Sequence, residues 1–210
     1  MKRFGILLAG GMAACGLATA QSLFTQDFSK VEPGALPDEY LILDGQFAVK
    51  EDSGNRFVEL PGAPLESFGF LFGPNEPSGV EAAARVYATK SGRKFPTFGL
   101  GLNGASGYRL QVAPAKEALE LLRGDVVVAS VPFKWQSGGW TQLRLALRKT
   151  DAGFRLEGSA WPDGAPGPKE PVITFVESKP QPAGKASVWG LPFSGTPLRF
   201  DDLGVTRLGG

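Results

Sequence analysis

Two adjacent acidic residues, Asp201 and Asp202, interrupt a strand-like run, SGTPLRFDDLGVTRL, near the end of this 210-residue chain. Carboxylates so placed could serve as a general acid and base or could hold a hard cation such as Ca²⁺. Consecutive side chains of a regular strand point to opposite faces. The two carboxylates are therefore expected to diverge, and to share neither a proton nor an ion.

A structural role explains the pair better. Phe200 and Leu203 have opposite parity, so both can be buried only if the strand carries one extra residue between them, which is a β-bulge at the aspartates. Aspartate accepts hydrogen bonds from nearby backbone N–H groups, and this would fasten the terminal strand. The alternative is a Ca²⁺ site completed by loop carbonyls.

Other catalytic chemistry is restricted by composition. The chain has no histidine and one cysteine, Cys15, which excludes Ser-His-Asp and Cys-His nucleophilic machinery and removes the commonest zinc ligand. A glycosidase pair on one strand face would need acids at i and i+2, yet Glu81 is followed at that spacing by Ala83 and then Arg85. No catalytic residue, metal ligand or cofactor is predicted, although acids from two different strands could still form a pair.

A polar set of side chains alternates with the apolar positions of several strands. If those strands are neighbours in one curved sheet, its non-core face would carry a groove lined by Arg85, Tyr87, Arg109, Gln111 and Arg144 and floored by Gly99 and Gly101. Arginine forks and amides bond to sugar hydroxyls or carboxylates, and an aromatic ring covers the apolar face of a sugar. Alternation also turns Trp161 away from the core, toward a ligand or under the adjoining proline-rich loop. The alternative for the whole set is a sheet face that is polar only because it is solvated.

The elements that would position these residues are strands. Short runs of Val, Leu, Phe and Tyr alternate with turn residues every eight to twelve positions, a pattern typical of β-sandwiches. The pattern predicts strands at 23–28, 40–50, 56–60, 68–72, 80–88, 96–103, 107–113, 117–122, 125–131, 140–149, 153–161, 171–176, 185–190 and 196–207. Leu143, Leu145 and Leu147 share one face and are predicted to be core. Trp189 is expected near a sheet edge.

The N-terminus, MKRFGILLAGGMAACGLATA, has a basic lead, a short apolar stretch and a small-residue cleavage box. Residues 1–20 are therefore predicted to be a signal peptide and 21–210 a single domain, secreted or periplasmic, with no membrane span. A lipoprotein anchored at Cys15 is the alternative. Loss of Lys2 and Arg3 leaves 20 basic against 21 acidic residues, which gives no support for a nucleic-acid partner.

Two stretches, VPFKWQSGGWTQLRLALRKTDAGFRLEGSAWPDGAPGPKEP and GKASVWGLPFSGTPLRFDDLGV, resemble exported bacterial domains of the concanavalin A-like lectin/glucanase superfamily. This superfamily includes laminin-G-like modules and the 3-keto-disaccharide hydrolase type. The resemblance implies an antiparallel two-sheet jelly-roll β-sandwich, all-β, with the first and last strands together and a saccharide groove on the concave sheet. The Glu-x-Asp-x-x-Glu motif of the superfamily's retaining glucanases does not occur in this chain.

The function predicted from these observations is an exported, non-catalytic carbohydrate-binding or interaction module whose partner is an oligosaccharide or polysaccharide. The alternative is a glycoside-active hydrolase of the same fold, with carboxylates from different strands.

Overall fold

The computed structural model describes residues 20–64, 66–151, 153–179 and 181–209. The predicted signal segment, including Cys15, lies outside these ranges apart from its last residue. Within them the chain forms strands and one short 3₁₀ turn at Pro114–Lys116. The described residues include no helix of the length and apolarity that a bilayer crossing requires.

The strands follow in chain order as β1 (Gln21–Gln26), β2 (Gly34–Ala35), β3 (Leu41–Asp44), β4 (Ala48–Asp52), β5 (Asn55–Leu60), β6 (Phe68–Glu76), β7 (Val80–Ala88), β8 (Thr97–Leu102), β9 (Tyr108–Ala113), β10 (Ala118–Arg123), β11 (Val126–Pro132), β12 (Gly139–Thr150), β13 (Gly153–Pro162), β14 (Ile173–Glu177), β15 (Gly184–Leu191) and β16 (Leu198–Arg207). The predicted strand 40–50 is two strands, because Gly45, with φ +104°, turns the chain between β3 and β4.

Two antiparallel sheets contain all of these strands. Sheet A has nine, in the order β14-β13-β12-β7-β16-β5-β4-β2, with β1 also paired to β16. Sheet B has seven, in the order β11-β10-β9-β8-β15-β6-β3. The first and last strands pair, as the resemblance implied, and the all-β jelly-roll prediction is confirmed.

The core lies between the inner faces of the two sheets. Leu143, Leu145 and Leu147 of β12 are fully buried, as their alternation predicted. Phe70 of sheet B meets Phe200 of sheet A edge to face, with ring centroids 6.4 Å apart. The outer faces of both sheets are therefore the places where polar side chains can form a site.

The terminal strand β16 contains the bulge that the sequence predicted. Its register against β7 shifts between Asp201 and Gly204, and Asp202 adopts φ +49°. Phe200 and Leu203, on either side, are both buried. At the bulge β16 also changes its second partner, from β5 before it to β1 after it.

Candidate functional site

The six residues predicted to contact a ligand lie on two different sheets. Arg85 and Tyr87 are on β7, Arg144 is on β12 and Trp161 is on β13, all in sheet A. Arg109 and Gln111 are on β9, in sheet B. The expectation of one shared groove is therefore wrong. Alternation tells which side of its own sheet a residue occupies, but it carries no information on which sheet that is.

On sheet A, Arg85 is surrounded by carboxylates. Its Nη2 lies 2.7 Å from Asp201 Oδ2, its Nε lies 3.0 Å from Asp202 Oδ2, and its Nη1 lies 3.4 Å from Asp163 Oδ2. Asn55 Nδ2 also donates to Asp201 Oδ2, at 3.0 Å. The guanidinium carbon lies 4.6 Å from the centroid of the Trp140 ring.

The two consecutive aspartates converge on one cation, whereas the sequence predicted that they would diverge. The left-handed conformation of Asp202 at the bulge breaks the strict alternation and brings both Oδ2 atoms to Arg85. The predicted backbone contact is present, since the Asp202 N–H donates to Asp201 Oδ1 at 2.8 Å. The cation between the carboxylates is a guanidinium, and the described residues contain no group of three acidic, His or Cys side chains suited to a metal ion.

The pKa shifts and the burial of this cluster indicate that it stabilises the fold. Burial lowers the pKa of Arg85, but the hydrogen bond and charge of Asp201 outweigh it and leave that pKa raised. Burial raises the pKa of Asp202, and the charge of Arg85 offsets it only in part. Asp201 is wholly buried and already bonded to Arg85, to Asn55 and to the backbone. It has little capacity left for a ligand.

Trp161 lies on the outer side of sheet A, as predicted, but it is covered. The guanidinium of Arg144 lies 5.3 Å from its ring centroid, and a Cβ placed on Gly167 would lie 3.2 Å from the indole. Arg144 Nη2 also donates to the Pro168 carbonyl at 3.1 Å, which holds the 163–172 loop across the ring. The structure thus favours the loop contact for Trp161.

On sheet B, Arg109 and Gln111 line a cavity of about 260 Å³. Its lining is completed by Ser67, which precedes β6, and by residues of β8, β15 and the 3₁₀ turn, among them Thr97, Trp189 and Lys116. The Arg109 guanidinium stacks on Trp189, 4.1 Å from the ring centroid. Burial lowers the pKa of Arg109, and the charge of Asp125 offsets this only in part.

A short polar chain borders the same cavity. Gln111 Nε2 donates to Glu120 Oε2 at 3.1 Å, and Lys116 Nζ lies 2.9 Å from Glu120 Oε1. Glu120 is only 4 % exposed, although it lies on the outer side of β10. These contacts fix the Gln111 amide, whose carbonyl oxygen remains available as an acceptor.

The side chain of Trp189 covers the surface at Gly99 and Gly101 that was predicted to be open to a ligand. Trp189 lies on β15, where its backbone neighbours are Gly69 of β6 on one side and Gly99 of β8 on the other. A Cβ on Gly69 would lie 2.9 Å from Trp189 Cε3, and one on Gly101 would lie 3.3 Å from Trp189 Nε1. The glycines therefore leave room for the indole. A ligand on this face would contact the Trp189 ring and not the glycine backbone.

The sequence reasoning missed Trp189 as a site residue. It was expected at a sheet edge, whereas β15 is the fifth of seven strands in sheet B. The signal was present in the alternation of SVWGL, because buried Val188 and Gly190 place Trp189 on the opposite side.

A second small cavity, of about 120 Å³, lies on sheet A and contains two acids. Glu157 and Glu81 both pair with Ala146 of β12, one from each side. Burial raises the pKa of Glu81, which lies 3.8 Å from Arg144. Glu157 is bound by Arg148 at 2.8 Å and by Arg155 at 2.7 Å.

No protein-family model and no curated protein sequence matches this chain. Many solved structures match its fold. A protein of unknown function with a galectin-like fold from Bacillus subtilis aligns at a TM-score of 0.62 and 12% identity, over 89% of this chain and 96% of that one. The Emp47p carbohydrate recognition domain aligns at 0.60 and 11% identity, over 94% and 100% of the two chains.

Enzymes share the fold as well. The catalytic domain of a glycoside hydrolase family 131 protein from Coprinopsis cinerea aligns at a TM-score of 0.54 and 9% identity, over 88% of this chain and 94% of that one. Identities this low show a shared fold and leave activity to be argued from the residues of the site. The chain has a concanavalin A-like jelly-roll fold, which a carbohydrate recognition domain and a glycoside hydrolase both share.

Proposed function

We propose that this chain is an exported, non-catalytic domain that binds a saccharide on the outer face of sheet B, in the cavity beside Arg109, Gln111 and Trp189. The single observation that carries the proposal is this cavity, in which a stacked arginine and indole adjoin an amide and the hydroxyls of Ser67 and Thr97. Convergent polar groups around an apolar surface are what saccharide recognition requires. Export rests on the signal-like N-terminus.

Two further points support the choice of this face. Both predicted arginines of sheet A are engaged by other groups, Arg85 by three carboxylates and Arg144 by Glu81 and the Pro168 carbonyl. On sheet B, the Arg109 guanidinium contacts an aromatic ring and borders a cavity of about 260 Å³. Solved carbohydrate-recognition domains with the same fold add to this.

The test is binding of the purified protein to an array of oligosaccharides and polysaccharides, with the same sugars assayed for released products. The expected result is binding without product. Trp189→Ala and Trp161→Ala test the two outer faces separately, and we expect the first to abolish binding. Loss of binding in Trp161→Ala alone would move the site to sheet A, and an array with no bound sugar would refute the proposal.

The pair Glu81 and Glu157 supports a second candidate, a glycoside hydrolase acting from sheet A. Both acids flank Ala146, so two strand spacings, about 9.6 Å, separate their backbones. This backbone separation lies just above the carboxyl separations of about 6.5–9.5 Å that inverting glycosidases use. The raised pKa of Glu81 suits a general acid.

Glu81→Gln and Glu157→Gln decide whether this pair is catalytic. If the pair is catalytic, the rate of hydrolysis should fall at least about 100-fold in each variant while the protein remains folded. Products of inverted anomeric configuration would support the pair as acid and base. Release that persists in both variants would exclude it.

A further inference from the structure

The charged side chains that line the cavity on sheet B are positive. Its lining, within the residues that the structure describes, contains two cations, Arg109 and Lys116, and no aspartate or glutamate. Glu120 lies beside it and is bound by Lys116 and by the Gln111 amide. The cation that remains without a carboxylate is Arg109.

Arg109 differs in this from the other arginines of the described strands. Each of the others has a carboxylate within 4.0 Å of its guanidinium: Arg56, Arg85, Arg123, Arg144, Arg148, Arg155, Arg199 and Arg207. Arg109 forms no such ion pair with a described residue, and its Nε is buried without a hydrogen-bond partner. Asp125 acts on it only as a more distant charge.

Burial of an unpaired cation is costly, so proteins generally give such a group a partner. The indole of Trp189 supplies a cation–π contact through the face of the guanidinium. It accepts no hydrogen bond from the Nη1–Nη2 edge of the guanidinium, whose N–H donors match the two oxygens of a carboxylate, whereas the buried Nε–H is out of a ligand's reach. A planar anion at that edge would complete the site.

We propose that the ligand of this cavity is an acidic saccharide, and that Arg109 binds the carboxylate of a uronic acid residue. The inference rests on the proposed function and adds the substrate class to it. Gln111 and the hydroxyls of Ser67 and Thr97 would then meet the neutral hydroxyls of the same chain. A neutral saccharide would leave the charge of Arg109 without a partner.

The experiment measures binding of the purified protein to polysaccharides offered in matched forms: polygalacturonate, alginate and hyaluronan, and each of them after chemical reduction of its carboxyl groups. Neutral glucans and galactans are included. We expect at least one acidic form to bind about tenfold or more tightly than its reduced form, since one charge-assisted pair is lost. Binding should weaken with added salt.

Variants assign the effect to one residue. Arg109→Gln should reduce binding of the acidic form to the level of the reduced form, and Arg109→Lys should restore it only in part, because a lysine lacks the planar fork. Arg93→Gln is the control, since Arg93 lies in an exposed turn and lines neither cavity. Urea denaturation confirms that each variant is folded.

The outcomes separate this inference from the proposed function. Equal binding of the acidic and reduced forms, lost in Trp189→Ala, would refute the acidic ligand and keep the saccharide site. Equal weakening by Arg93→Gln and Arg109→Gln would show a nonspecific charge effect and would also refute it. Failure to bind any saccharide, acidic or neutral, would overturn both.

Discussion

Arg85 Nη2 and Asp201 Oδ2 lie 2.7 Å apart on the outer side of sheet A, and the Asp201 side chain has no exposed surface. This ion pair joins β7 to the terminal strand β16 at the bulge, where β16 passes from β5 to β1. The pair therefore holds the last strand at the position where its ladder with β7 is interrupted.

Asp201→Ala should lower the free energy of unfolding by about 2 kcal/mol or more, because it leaves buried donors of Arg85, Asn55 and the Asp202 backbone without their acceptor. Asp202→Asn is the matched variant, because asparagine also tolerates the left-handed backbone of this position. The Asp202 carboxylate is 45% exposed, so its loss should cost less than about 1 kcal/mol. Urea denaturation measures the free energy of unfolding of both variants. Equal losses would contradict the stabilising role of the Arg85–Asp201 pair.

Gly69→Ala should destabilise the protein and weaken saccharide binding together. The new Cβ would lie 2.8 Å from the Val188 carbonyl oxygen and 2.9 Å from Trp189 Cε3, so the indole has to move. Overpacking of this kind costs about 1–3 kcal/mol.

Gly139→Ala is the control, because no atom lies within 4 Å of a Cβ at that position. It should stay within about 0.5 kcal/mol of the wild type and bind normally. Thermal denaturation and the binding assay are run on both. Normal binding by Gly69→Ala would show that Trp189 does not form the floor of the site.

The fold could be predicted because burial alternates along several strands, most clearly β7. VEAAARVYA in β7 is buried at every second residue, so the sequence identifies both the strand and its inner face. The bulge was predictable for the same reason, since Phe200 and Leu203 are both apolar at positions of opposite parity. The direction of the two aspartates was not, because it depends on the left-handed backbone of Asp202.

The site could be predicted only in part. Arg109 and Gln111 were identified from alternation. Their partners come from β10 and β15 of sheet B, and no local sequence pattern predicts the order of strands in a sheet. Trp189 lies next to Arg109 through the pairing of β8 with both β9 and β15. Such contacts depend on topology, so single-strand reasoning grouped Arg109 with Arg85 and Arg144 of the other sheet.

Leu145→Ala tests the two-layer core. Leu145 is fully buried in the middle of β12, so its truncation should cost about 2–5 kcal/mol in the free energy of unfolding. Lys149, in the same strand, is exposed, and Lys149→Ala should change the stability by less than about 0.5 kcal/mol. Similar costs for the two variants in urea denaturation would contradict the packing of β12 against sheet B.

Glu81 and Asp52 should give the stability opposite dependences on pH. Burial raises the pKa of Glu81, more than the charges of Arg144 and Arg148 lower it, so the folded state binds its proton more tightly than the unfolded chain does. The stability from Glu81 is therefore fully present below the unfolded pKa, about 4.3, and is lost as the pH rises through the folded pKa. Glu81→Gln removes this loss. Relative to the wild type, the variant should gain stability from about pH 4 to pH 7, by less than about 1 kcal/mol because the side chain is partly solvated.

Asp52 provides the contrast. The hydrogen bond from Arg199 lowers the pKa of Asp52, so its contribution is present above the unfolded pKa of about 3.9 and is lost as the pH falls through the lower folded pKa. Asp52→Asn should therefore lower the stability at pH 7, and the difference from the wild type should shrink in acid. Urea denaturation at a series of pH values measures both variants at low salt, where surface charges are least screened. Slopes of the same sign would show that burial does not control the titration of Glu81.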